Sequence, residues 1–322
     1  MKRIFIIGLI IAFVVPSAFA VNRVLSLDGD GDYVEMADSE TLNNINSQVT
    51  MEAWIKVTEF TDIWVHIIYK GDKQNHSWSN RSYCLQLWGA GSVSLASAPS
   101  EVSQIYINSP NGSIVLNNWY HIAGVIDAQN GIMKILINGV EVASEGFGKD
   151  FHISALPLRI GWSQEESWGA FAGQIDEVRI WNIARTQKEI EKTMFTTLSG
   201  KEPGLVGYWR FDDLGNTATD SSTSQSNGKL MGDAHFVEAE LPTDNELAVL
   251  SGIIKDETGK PISNASVWLE QNGEGVAQAQ TDNSGNYGVA IFHPHGRYNL
   301  SASIDELGDW QLGIRLRGGE HR

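Results

Sequence analysis

The chain has 322 residues, enough for about two domains of ordinary size. Its 39 acidic residues outnumber 23 basic ones, for a net charge of −16, so phosphate backbones are repelled and nucleic-acid binding is disfavoured. A single cysteine, Cys84, rules out an internal disulfide, and stability must come from core burial.

The first 20 residues read as a secretory signal peptide. Lys2 and Arg3 are followed by an apolar run, Ile4 to Val15. Pro16 ends the run, and Ala18-Phe19-Ala20 supplies small residues at a cleavage site. The run is shorter than the ~20 residues that span a bilayer. No cysteine follows the cleavage site to carry a lipid, and no later apolar run reaches membrane length. The expected destination is periplasmic, cell-surface or extracellular. In such a setting a dense set of carboxylates suits divalent cations, above all calcium, which takes hard oxygen ligands. The plainer alternative is that the acids only keep the surface solvated.

The rest alternates like strands. Val49 to Val57 has period two, and the pattern returns at Trp119–Val125 and Met133–Ile137. Cys84 sits in the strand-like run Ser82–Leu87, which predicts a buried, inert thiol. Asn138-Gly139 separates two apolar runs and predicts a two-residue type I′ hairpin. Thr186 and Glu189 form a capping box ahead of Ile190, Met194 and Phe195, which predicts one short helix. Glu238 to Glu246 is acidic, contains Pro242, lacks periodicity and reads as a linker. A new strand pattern starts at Ala248. Many short strands punctuated by glycine-rich turns indicate an all-β sandwich or barrel.

Five segments carry a resemblance. They are Leu25–Val34, Val49–Ile55, Asn118–Val125, Met133–Val142 and Gly173–Asn182. In this order they resemble the laminin-G-like, concanavalin A-like jelly roll, distantly related to pentraxins. Gly204–Asp212, Asp220–Ser222 and Asn227–Leu230 resemble strands that flank such jelly rolls. Leu250–Asp256, Gly259–Ile262, Ala265–Leu269, Thr281–Tyr287 and Gly296–Leu300 resemble the carboxypeptidase-regulatory-like fold, a small prealbumin-like β-sandwich. The expected organisation is a signal peptide over 1–20, a jelly roll with flanking strands over 21–240, and the second sandwich over 241–322. The second unit lacks a clear closing element, which fits a piece of a longer multidomain protein.

The resemblance implies a calcium site. The first and last strands of such a jelly roll lie side by side, which would bring Asp28 and Asp32 near Asp176 to share a structural ion. The alternative is turn aspartates bonding their own backbone. An EF-hand is excluded, because its sixth and twelfth positions are Tyr33 and Ser39.

A ligand surface is expected from tryptophans. Of the 11, Trp54, Trp119, Trp181 and Trp209 lie in motif strands and are expected in the core, whereas Trp64, Trp78, Trp88, Trp162 and Trp168 lie apart from them. Trp78, Trp162 and Trp168, with Asn75, His76 and Arg81, combine indole faces with polar donors. That combination suits stacking on a pyranose and bonding its hydroxyls; the alternative is tryptophans folded back over the sandwich rim. Glycoside hydrolases of the same fold place acids on alternate residues of one strand. Here Gln174 and Val178 occupy two of the places, and Asp176 and Glu177 are expected on opposite faces. His293-Pro294-His295 reads as a turn.

The reading is therefore an exported, non-catalytic binding or adhesion module for carbohydrate or a surface glycoprotein. A structural spacer of a larger surface protein is the alternative, and a concanavalin-fold glycoside hydrolase stands behind both.

Overall fold

The computed structural model describes residues 21–71, 81–89, 91–98, 105–148, 152–163, 169–256, 258–271, 274–292, 296–304 and 308–316. The elements of the first unit are β1 (Arg23–Asp28), β2 (Tyr33–Met36), α1 (Glu40–Asn43), β3 (Gln48–Glu59), β4 (Trp64–Gly71), β5 (Arg81–Trp88), β6 (Ser92–Ser97) and β7 (Ile105–Asn108). They continue with β8 (Trp119–Asp127), β9 (Ile132–Ile137), β10 (Val140–Gly146), β11 (Leu158–Ile160), β12 (Ala172–Trp181), α2 (Gln187–Thr193), β13 (Leu205–Trp209), β14 (Thr217–Ala218), β15 (Gly228–Met231) and β16 (His235–Glu238). After a 3₁₀ turn at Asp244–Glu246 come β17 (Leu247–Ile253), β18 (Ser266–Gln271), β19 (Glu274–Gln280), β20 (Asn286–Phe292), β21 (Gly296–Ile304) and β22 (Gly308–Leu316).

Two antiparallel sheets build a jelly-roll sandwich. The first runs β10-β9-β8-β3-β12-β1-β16, and the second β14-β15-β2-β11-β4-β5-β6-β7. The opening and closing strands pair edge to edge, with Leu25 opposite Ile175 and Asp28 opposite Ala172. β1 covers the first half of β12 and β13 the second half, where Val178 faces Trp209. Alternation explains the packing. Val49, Met51, Ala53, Ile55 and Val57 of β3 point inward against Leu85, Leu87, Val93 and Leu95 of the second sheet. The strands Leu205–Trp209 and Gly228–Glu238 belong to these same two sheets.

The predicted local features form. Asn138 and Gly139 have φ of 51° and 80°, as a type I′ turn requires, and Ile137 pairs with Val140 across it. Thr186 caps α2 through a complete capping box, and Ile190 and Met194 are buried beneath.

α2 covers a charged cluster on the outer face of the first sheet. Glu52 is fully buried there, paired with Arg185 and His121, with Arg179 beside it. These partners outweigh the burial penalty and hold the Glu52 carboxyl down at about 2.

Among the described residues, β17 to β22 pair only with one another, as a β17–β20 ribbon and a β19-β18-β21-β22 sheet. Their core contains Val267, Leu269, Val289, Ile291 and Leu300. This unit rests on the first through Phe292, whose ring lies 5.2 Å from Trp54 and 5.9 Å from Phe195. Asn138 Nδ2 also donates to the Ala290 carbonyl at 3.1 Å.

Candidate functional site

The acidic turn joins β1 to β2, and a second turn, Gly232–Ala234, joins β15 to β16, each crossing from one sheet to the other. Because β1 pairs with β16 and β2 with β15, the two turns stack at one corner of the sandwich. Asp28, Asp30, Asp32 and Asp233 thereby offer carboxylate oxygens within 4.8 Å of one another. Asp32 is 2% exposed; one oxygen accepts from the Asp28 backbone N–H at 3.2 Å, while Oδ1 has no hydrogen-bond partner among the described residues. Burial, reinforced by the charges of Asp28 and Asp233, pushes the Asp32 carboxyl up to about 6.

Asp176 is not part of this cluster, contrary to the expected trio. It lies four residues along β12 from the partner of Asp28, about 13 Å at the strand rise. It is buried, accepts from Asn22 Nδ2 at 3.1 Å and from the Glu177 N–H at 2.8 Å, and burial beside Glu177 pushes its carboxyl well up. The expected opposition of Asp176 and Glu177 also fails. Glu177 has φ of 49°, and β12 carries an irregularity between Asp176 and Arg179. The core then takes Ile175 and Val178, leaving both acids on the outer side. Glu177 is held there by Arg179 at 2.7 Å and by the Tyr208 hydroxyl at 2.6 Å.

Of the expected ligand surface, Asn75, His76, Trp78 and Trp168 lie outside the described residues, as do His293, Pro294 and His295. Arg81 is buried, with its guanidinium 5.9 Å from the Tyr69 ring centroid. Trp162 is half-buried beside the acidic turn, 5.8 Å from the Tyr33 ring, and its indole lies over Gly31. Arg159 also lies over Tyr33, its guanidinium 4.2 Å from the ring centroid, and bonds Glu35 at 2.9 Å. Trp209 lies in the sandwich core; Trp54 and Trp181 are fully buried but on the outer side of the first sheet, Trp54 beneath Phe195 and Phe292, and Trp119 is only half-buried on that outer face.

The sheet of β4 to β7 holds a second arrangement, on the face turned away from the core. His66 stands opposite Gln86, Gln86 opposite Ser94, and Ser94 opposite Asn108. At ordinary strand spacing this row spans about 14 Å. Both His66 nitrogens, Gln86 Nε2, Ser94 Oγ and Asn108 Oδ1 are buried without a hydrogen-bond partner among the described residues. Burial and the nearby Arg81 charge hold the His66 pKa well down, so the ring is neutral and offers one donor and one acceptor.

Aromatic rings border this row. Trp64 and Trp88 face each other across β4 and β5 at 5.9 Å, and Tyr106 meets Trp64 edge-on at 6.3 Å. β5 and β6 separate β4 from β7. The Trp64 and Tyr106 rings can therefore meet only by leaning across the face, over Gln86 and Ser94. Tyr106 is 53% exposed, so the outer surface of this aromatic roof meets solvent. Cys84 lies beside the row, fully buried, its thiol donating to Gln86 Oε1 at 3.1 Å.

Sequence reasoning missed this row. Three members are polar residues flanked on both sides by apolar ones, in Val65-His66-Ile67, Leu85-Gln86-Leu87 and Val93-Ser94-Leu95, and Asn108 follows Ile107. That flanking was the available signal; the alignment of four such positions was not readable without the strand order.

Comparisons with known proteins agree with this fold. A protein from Bacteroides ovatus ATCC 8483 proposed to bind carbohydrate is 20% identical at a TM-score of 0.52, over 69% of this chain and 61% of its own. This chain thus spans less than two thirds of that protein. The CBM40 of the Ruminococcus gnavus IT-sialidase, bound to α2,3-sialyllactose, is 16% identical at a TM-score of 0.45, over 52% of this chain and 95% of its own. The heptameric SAP-like pentraxin of Limulus polyphemus is 19% identical at a TM-score of 0.39, over 54% of this chain and 82% of its own. No curated protein sequence matches significantly. The carboxypeptidase regulatory-like domain matches residues 249–322. Residues 28–191, half of the chain, match the concanavalin A-like lectin/glucanases family, and with the closed two-sheet sandwich described above the chain belongs to that superfamily.

Proposed function

We propose that the protein is an exported, non-catalytic carbohydrate-binding module whose ligand lies against the outer face of β4 to β7. The carrying observation is the row His66, Gln86, Ser94 and Asn108, with buried polar atoms unpartnered among the described residues under an aromatic roof. A buried unpaired polar group costs about 1–3 kcal/mol. Such a cost is seldom retained in a core without a role. Sugar hydroxyls supply both donors and acceptors, and pyranose C–H faces stack on indole and phenol rings. Parting Trp64 from Tyr106 opens the row to a ligand that satisfies it. The sugar is free or displayed on a surface glycoprotein. The non-catalytic reading draws support from Asp176 and Glu177, which are engaged by Asn22, Arg179 and Tyr208.

The test is a glycan array followed by calorimetry on the best ligand. Wild type is expected to bind saturably. The double variant Trp64→Ala, Tyr106→Ala is expected to weaken binding by at least about tenfold, a loss of ~1.4 kcal/mol. An array blank for wild type, or a variant that binds as tightly as wild type, overturns the reading.

Calcium at Asp28, Asp30, Asp32 and Asp233 belongs to the same proposal. The hard-oxygen donor set and the unpartnered Asp32 oxygen fit such an ion. When bound, calcium would tie the β1–β2 turn to the β15–β16 turn and lock the corner. It is expected to raise the melting temperature of wild type but not of Asp32→Asn. A melting temperature unmoved by calcium or by a chelator removes the ion from the proposal.

A further inference from the structure

The row of residues beside the seam of the two β units holds an isolated positive charge in an acidic protein. Lys56 stands opposite Trp119 across β3 and β8. Its neighbours Ile55 and Val57 belong to the core, so Lys56 points to the outer face, and Tyr120 and Ile122 place Trp119 on that face too. No carboxylate pairs with the Lys56 ammonium among the described residues, although the chain has 39 acids.

A cavity of about 360 Å³ opens beside this pair. Lys56, Asn117, Asn118 and Trp119 line it from the jelly roll, and Phe292 and Tyr298 from the second unit. Phe292 is fixed by its ring contacts with Trp54 and Phe195. Asn117 is held at φ of 65°, its backbone N–H donating to the Val57 carbonyl at 2.7 Å. Its side-chain amide has no hydrogen bond among the described residues. Neither unit forms this cavity alone, and small-ligand sites favour such seams and volumes of about 300–1,000 Å³.

We propose that this cavity is a second binding site, for a pyranose bearing a single carboxylate. The half-buried Trp119 indole offers a stacking face, the asparagine amides offer partners for hydroxyls, and Lys56 offers one compact positive charge. One cation matches one carboxylate. A phosphorylated sugar brings a second negative charge that no cation among the described lining residues answers, into a chain already at −16. The volume suits one or two rings rather than a long chain. The site is distinct from the β4–β7 face and does not depend on it.

The test titrates the full chain with D-glucuronate and D-galacturonate, and with glucose and galactose as neutral controls, by saturation-transfer NMR at low ionic strength. Uronates are expected to bind about tenfold tighter than the neutral sugars, the scale of one charge-assisted contact. Lys56→Gln is expected to erase that preference while keeping the wild-type melting temperature, and Lys56→Arg to retain most of it. The Trp64→Ala, Tyr106→Ala variant is expected to bind uronates as wild type does. Equal binding of uronates and neutral sugars overturns the proposal. So does an unchanged preference in Lys56→Gln, or a preference lost with Trp64 and Tyr106, which would place the acid sugar on the other face.

Discussion

Asp32 couples the corner turn to pH. Its carboxyl ionises near 6 in the folded protein and near 3.8 when unfolded. The native state therefore keeps a proton that the unfolded chain releases, and this group's contribution to stability is fully present below pH ~4 and lost as pH rises through about 6. In metal-free buffer, the drop in melting temperature between pH 4 and 6.5 is expected to be smaller in Asp32→Asn than in wild type. With calcium bound, the ionised form is favoured and the slope should reverse. Glu52 has the opposite sign. Its carboxyl, held down at about 2, contributes stability above pH ~4.5 that disappears as pH falls through about 2. One carboxylate is buried without a cation and the other among two arginines and a histidine, so burial predicts the direction of the first shift and the partners reverse it in the second.

At the scale of elements, α2 is too short to stand by itself and depends on its cap and its packing. The Thr186 hydroxyl accepts from the Glu189 N–H at 3.3 Å, and the Glu189 carboxylate accepts from the Thr186 N–H at 2.8 Å. The helix also supplies the Glu189 carbonyl and the Thr193 hydroxyl to Arg185 at 2.7 and 3.0 Å, which keeps Arg185 on Glu52. Thr186→Ala is expected to cost about 1 kcal/mol in denaturant unfolding, with Thr186→Ser close to wild type. The capping box and the Asn138-Gly139 turn were legible because their geometry is decided within a few residues. The Glu177 bulge was not, because strand alternation is a default that a positive-φ residue breaks without changing composition. The consequence is substantial: two adjacent acids share one side, and the expectation built on alternation fails at Asp176.

At the scale of the molecule, the two β units share a seam built on Phe292, Trp54, Phe195 and the Asn138–Ala290 bond. Phe292→Ala removes a half-buried ring from it and is expected to cost about 1–3 kcal/mol. Calorimetry should then resolve two unfolding transitions where wild type shows closer coupling. A single transition at the wild-type temperature would mean that the seam carries no stability.

The amino-acid sequence by itself determined the all-β class, the hairpin and the helix cap, because each rests on local periodicity or on a motif of a few residues; the pairing of the opening and closing strands was only what the family resemblance implied. It also showed that Asp28 and Asp32 sit together, two positions of one turn. Only the tertiary structure decided what joins them: Asp233 comes from a turn some two hundred residues away, brought in by β15 and β16, while Asp176 lies further along β12. The same holds for His66, Gln86, Ser94 and Asn108, four scattered polar residues until strand order and register set them in line. Strand pairing joins residues remote in sequence, and register is fixed by the buried side chains of the whole sandwich rather than by the neighbours of any one position.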